Sequence, residues 1–273
     1  MTLVSKLATR PLGTRSSTST RLNMRRFSRA AAFVLPLLLA VLAWEAISRF
    51  LAEPSLLPAP THVVRAGAEL AQTGQLFRDV AISLQRASLG FLVAAVLGIC
   101  LGMTMGRMRV FTILLEPILQ MLRPIPAIAW VPFSILWFGV GESPKVFVIA
   151  IGVFFPVWLN TFLGARGMDR RYDEVSRVFG VRGPEAFVRV VFPATLPHIV
   201  AGLRTGLSLA FILLVAAELT GTSEGMGALI SQSQLVFRTD RMVVGMVMLG
   251  LTGALADLIF ARVVKRFAYW ESS

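Results

Sequence analysis

Five charged residues stand inside runs of sequence that are otherwise apolar: Arg86, Arg123, Arg204, Glu218 and Asp257. A charge at membrane depth is costly, so it is kept where it pairs, faces water or meets a charged solute. Arg123 is followed by Pro124 and Pro126, which break helical hydrogen bonding. Broken backbone at membrane depth is tolerated where it lines a cavity. Arg123 is therefore a candidate lining for an anionic solute; the competing reading is a structural kink, with Arg123 snorkelling or paired with Glu116. Glu218 is a candidate for an outer gate, or for a hydrogen bond to a neighbouring helix. For Arg86 and Arg204 the favoured reading is snorkelling to the interface. For Asp257 it is an ion pair with Arg262.

Other chemistries find weaker support. Gly221-Thr222-Ser223-Glu224-Gly225 matches G-x-S-x-G, but a nucleophile elbow needs a strand before the serine and histidine and acid partners. An apolar helix precedes it here, and His198 falls at the opposite end of that span. His62 and His198 are too far apart for a histidine-rich metal site, and the single cysteine, Cys100, rules out a disulfide within one chain. No Gly-Lys dipeptide occurs, so there is no G-x-x-x-x-G-K-[ST] phosphate loop. No metal, cofactor or catalytic residue is expected.

The elements that carry these residues are helices. Of 273 residues, 55% are hydrophobic and 15% charged, with mean hydropathy +0.71; a soluble domain is nearer a quarter charged. Six spans are read at about 31–50, 79–105, 111–138, 144–166, 198–221 and 242–263. Each is long enough to cross ~30 Å of hydrocarbon. The fold class is all-α, a polytopic membrane protein whose membrane domain covers 31–265. Residues 1–30 form a basic tail with seven Lys and Arg and no acids, read as disordered and cytoplasmic. A transit peptide is the competing reading, and Met24 is an alternative start. No A-x-A-like site follows the first apolar run, so it reads as an uncleaved anchor.

Counting Lys and Arg in the loops gives 18 on the side of both termini and 6 on the other. This bias places both termini, the 167–197 loop and the 266–273 tail in the cytoplasm. The net charge of +12 does not indicate nucleic acid, because the arginines cluster between apolar runs. Glycines recur at four-residue spacing at Gly98, Gly102 and Gly106, and at Gly202 and Gly206. Such rows let helices approach closely, within a chain or in a dimer.

The cytoplasmic loop holds "DEVSRVFGVRGPEAFVRVVFP", residues 173–193. Val175, Val178 and Phe179, then Phe187, Val190 and Val191, each form one apolar stripe of a short helix. Gly180 can end the first helix in a left-handed cap. Pro184 can open the second, and Pro193 and Pro197 would separate it from the next span. The product is a helical hairpin. It could lie on anionic lipid, or it could dock into a groove on a soluble partner.

The pattern Glu174…Gly180…Val190-x-Phe192-Pro193 resembles the EAA loop of ABC-importer permeases. Val175 and Ser176 stand where that family has alanines, and Phe192 where it has leucine. "SLQRASLGFLVAAVLGICLGMTMG" (83–106), "LRPIPAIAWVPFSILWFGVGESPKVFV" (122–148) and "VAAELTGTSEGMGALI" (215–230) are similar to the permease group serving alkanesulfonates, taurine and nitrate. The resemblance covers about residues 55–265. It implies a type I importer-like permease in a bacterial inner membrane, working as a homodimer with two ATP-binding subunits and a periplasmic solute-binding protein. It also implies that Glu174, Gly180, Val190, Phe192 and Pro193 couple the hairpin to the ATPase. Related permeases make a thiamine-type pyrimidine precursor an alternative cargo. An ATP-independent ion-coupled carrier is the rival class; Glu218 and Asp257 lie toward opposite faces, and no inverted repeat is apparent.

Overall fold

The computed structural model describes residues 35–267 except 37, 51, 52, 54, 55, 170, 172, 173, 175, 177, 182, 220 and 221. The basic tail 1–30, Val175 and almost all of the 266–273 tail lie outside the described residues. Among the described residues all the regular structure is helical, with no strand. It separates into two units, residues 1–61 and 62–273.

In the first unit, α1 (38–50) is fastened to the segment that follows it. Ser48 Oγ donates to the Leu57 carbonyl at 2.7 Å, and Glu45 accepts from the Thr61 N–H and hydroxyl at 3.2 and 3.0 Å. α2 (Pro60–Gln72) begins with proline at its first position, where the missing N–H costs nothing.

The second unit is built on α3 (Gln75–Arg107), α6 (Ser143–Arg166), α7 (Pro184–Glu218) and α9 (Thr239–Phe267). All four are long and apolar enough to cross a membrane. Their shared core joins Ala87 and Ala94 of α3, Ile149, Val153 and Val157 of α6, and Ala210, Phe211 and Leu214 of α7. In lipid, close packing rather than water exclusion holds helices together. Accordingly, both glycine rows face α6. A Cβ on Gly102 would lie 2.8 Å from the Trp158 carbonyl oxygen, and one on Gly206 would lie 2.9 Å from Val153. The rows thus serve packing within one chain. Below the glycines, Trp158 stacks on Phe162 with centroids 5.9 Å apart, and its N–H reaches Met105 Sδ at 3.2 Å.

The expected span 111–138 is not straight. α4 (Arg109–Leu122) and the stretch from the Ala127–Trp130 turn through α5 (Val131–Phe138) meet at 91°. Pro124 and Pro126 supply no N–H, and Pro126 is extended (φ −58°, ψ 133°) before a new helical turn begins at Ala127. Pro193 and Pro197, expected to separate the hairpin from the next span, do not do so: α7 runs unbroken from Pro184 to Glu218. A wider π turn at Phe187–Val191, in which the Phe192 N–H bonds the Phe187 carbonyl five residues back, lies immediately before Pro193 and gives its ring room. The Val191 carbonyl also accepts the Thr195 hydroxyl at 2.8 Å, a common Thr-to-backbone bond within a helix.

α8 (Met226–Leu235) is short. Met226 and Leu229 pack with Ala66 and Leu70 of α2, Leu76 of α3 and Val244 of α9.

Candidate functional site

The hairpin is shaped by two left-handed glycines. Gly180 has φ +75°, and the Val181 N–H bonds the Ser176 carbonyl at 2.9 Å, closing the preceding helical turn in a Schellman arrangement. Gly183 has φ +61° and leads directly into Pro184 at the first position of α7. Only Val191 of the second stripe turns inward, packing with Met103, Ala165 and Ile199. Val178, Phe179, Phe187, Val188 and Phe192 are exposed, Val178 by 84% and Phe179 by 79%. Glu174 is exposed and Val190 half-buried. The result is an apolar knob flanked by charge, including the Glu185–Arg189 pair at 3.0 Å.

The opposite end of the bundle carries a buried ionic cluster. Asp79, Ser83 and Arg86 lie at i, i+4 and i+7 on one face of α3. Glu218, at the end of α7, is fully buried. It accepts from Arg86 Nη1 at 2.7 Å, from the Ser83 hydroxyl at 2.8 Å and from the Gly227 N–H at 2.8 Å. Ser83 Oγ also accepts the Met226 N–H at 2.8 Å, and Asp79 accepts the Gly225 N–H at 3.0 Å. These carboxylates and hydroxyl cap the N-terminus of α8, where free N–H groups favour negative charge.

Arg86 completes the cluster. Its other edge forms a bidentate pair with Glu142, just ahead of α6, with Nη2 at 2.7 Å. Lys145 adds a contact to Glu142 at 2.9 Å. The Arg86 guanidinium, with help from Lys145 and against partial burial, holds the Glu142 carboxyl down at about 2, where 4.5 is ordinary. Arg86 is 4% exposed, so it does not snorkel. A guanidinium with two carboxylate partners is stable where a lone charge is not.

Arg123 stands at the bend between α4 and the Ala127–Trp130 turn, at the edge of a cavity of 480 Å³. The Glu116 carboxylate is directed elsewhere, to Arg166 at 3.5 Å. Asp257 pairs with Arg204 at 3.3 Å rather than with Arg262, joining α7 to α9. The G-x-S-x-G run begins at Gly221, outside the described residues. Its remaining residues follow a helix, not a strand, and Glu224 pairs with Arg78. The ionic cluster went unread in the sequence, although Arg86 and Glu218 fall near the same end of their two spans.

Residues 94–269 match the family described as "Binding-protein-dependent transport system inner membrane component". The chain belongs to this permease family. The permease is 36% identical to a Bacillus subtilis protein named for aliphatic sulfonates transport, SsuC, over 91% of this chain and 90% of that one. It is 32% identical to the nitrate import permease protein NrtB of Leptolyngbya laminosa, over 70% and 68% of the two chains. It is 29% identical to the Escherichia coli taurine transport system permease protein TauC, over 84% and 85%. In fold it is similar to the inward-facing MetNI methionine ABC transporter, with a TM-score of 0.55 and 18% identity over 71% of this chain and 94% of that one. An amino acid ABC transporter gives a TM-score of 0.54 at 15% identity, over 73% and 95%.

Proposed function

We propose that this permease is the membrane subunit of an ATP-driven importer for a small sulfonate- or nitrate-like anion, and that residues 174–192 dock it to a separate ATP-binding subunit. The observation that carries the docking role is the hairpin itself. It sets Val178, Phe179, Phe187 and Val188 in the open on a turn fixed by two left-handed glycines. A compact apolar projection on rigid backbone suits insertion into a groove of a soluble partner. The chain carries no phosphate loop of its own, so ATP hydrolysis falls to that partner. The loop bias of Lys and Arg supports a cytoplasmic position for the hairpin and both termini. Two copies of the chain face two ATPases, and a solute-binding protein outside the membrane delivers the cargo. The named activities of SsuC, NrtB and TauC support the anionic cargo.

The test is copurification in mild detergent. Wild type should bring an ATP-binding subunit with it, and Gly180→Arg should lose that subunit while remaining in the membrane. Normal copurification and uptake by Gly180→Arg would overturn the docking role.

A further inference from the structure

The cavity at the helix bend has a chemistry of its own. It lies beside α6 between Ile151 and Asn160, midway along a helix that runs from Ser143 to Arg166. Among the described residues one cation, Arg123, borders it, and no Asp or Glu does. Among the described residues no carboxylate lies within ion-pair distance of Arg123. Asn160 lines the same space. One of its amide hydrogens is spent on the Pro156 carbonyl at 2.8 Å, which leaves a second donor. Apart from Thr205, whose hydroxyl donates to the Ala201 carbonyl at 3.0 Å, the rest of the wall is largely apolar, with Trp130, Ile151, Phe155 and Leu213.

We infer that this cavity is a transit subsite for an amphiphilic organic monoanion, an alkyl sulfonate rather than an aminosulfonate or nitrate, with Arg123 as its anion contact. This rests on the importer reading above. A guanidinium and an amide N–H can share the oxygens of one sulfonate through charge-assisted hydrogen bonds. The apolar wall then takes the alkyl chain. An aminosulfonate would bring an ammonium into a space with no carboxylate, and leaving a charge unpaired there is unfavourable. Nitrate is too small to reach the far wall, whereas 480 Å³ falls within the ~300–1,000 Å³ that encloses small organic ligands. An acidic lipid has the same two-part chemistry, so the test must separate the two sources.

The experiment measures equilibrium binding of radiolabelled 1-butanesulfonate to the copurified transporter in vesicles of pure phosphatidylcholine. The solute-binding protein is left out. Wild type should bind at millimolar probe. R123Q should bind about tenfold or more weakly, and R123K should keep most of the affinity. Unlabelled taurine and nitrate should compete far less well than unlabelled butanesulfonate. Wild-type-like binding by R123Q, equal competition by taurine or nitrate, or no binding by wild type would each overturn the inference. So would a difference between R123Q and wild type that appears only when phosphatidylglycerol is added, since Arg123 would then be holding a lipid headgroup. Loss of the ATP-binding subunit from wild-type preparations would instead strike the importer reading itself.

Discussion

Replacing Glu218 by alanine should be among the most damaging single changes outside the hydrophobic core. The carboxylate is wholly buried and accepts from Arg86, Ser83 and the Gly227 N–H at 2.7–2.8 Å. Alanine leaves one edge of a buried guanidinium without its counter-charge. Removing one member of a buried ion pair costs about 3–5 kcal/mol. The stranded amide of Gly227 adds about 1–3 kcal/mol. Two effects oppose this: Glu142 still pairs with Arg86, and the vacated volume can admit water. A net loss of about 4 kcal/mol is expected. Thermal unfolding in detergent, followed by tryptophan fluorescence, should show a midpoint lower by on the order of 10 °C. Glu218→Gln keeps the shape and one acceptor, so it should fall roughly midway. Arg86→Leu combined with Glu218→Leu should be less damaging than the sum of the two single changes, because no charge is then left buried alone. If Glu218→Ala unfolds within about 1 kcal/mol of wild type, or the double change is simply additive, the reasoning fails.

Three further outcomes are expected. Glu142 has its carboxyl held at about 2 against 4.5, so its contribution is present above about pH 4.5 and is lost as pH falls toward 2; the stability gap between wild type and Glu142→Gln should therefore close over that window in pH-dependent melts. Gly180→Ala meets nothing within 4 Å but must adopt φ +75°, a strain of about 1–2 kcal/mol; hydrogen exchange at the Val181 amide should quicken roughly 5- to 30-fold while the global midpoint barely moves, and an unchanged exchange rate would count against the left-handed cap. Gly102→Val puts a Cβ within 2.8 Å of the Trp158 carbonyl oxygen and should cost about 1–3 kcal/mol or more; Gly250→Ala, with open space around it, should be neutral or slightly stabilising, and similar melts for the two would refute the close-approach argument.

Local rules carried the sequence a long way. The apolar runs gave the long helices, because span length and composition are set by the membrane alone. Gly180 was legible because a left-handed turn between two apolar stripes has few other solutions; the positive φ of Gly183 was not read. Pro124 and Pro126 announced a break, but a 91° bend depends on what packs beside it. Pro193 misled for a related reason: a proline near the start of a long helix need not end it when the preceding turn is widened. The partners of Arg86 were harder still. Glu142 and Glu218 lie 56 and 132 residues away, and only the fold brings them to one point. The available signal was depth: Asp79, Ser83 and Arg86 share a face near one end of a span, and Glu218 sits at the matching end of another.

The continuity of α7 links the hairpin and the ionic cluster mechanically. One unbroken helix of 35 residues begins at the hairpin and ends at Glu218, a distance of about 50 Å at 1.5 Å per residue. Along the way it contributes to the core shared with α3 and α6, and at its end Glu218 is tied to α3 through Arg86, which is tied in turn to Glu142 ahead of α6. Sliding α7 against its neighbours would therefore have to break the ionic cluster and open the Gly206–Val153 approach together, and close-packed interfaces of this kind yield in discrete steps rather than smoothly. A push on the docked hairpin is then expected to move α3, α6 and α7 as one block, leaving motion to the surfaces that are not so tied. The α4–α5 bend, where Arg123 borders the cavity, is such a surface: it is broken by two prolines. A cross-link between residues 125 and 151 should block transport under this scheme without preventing docking.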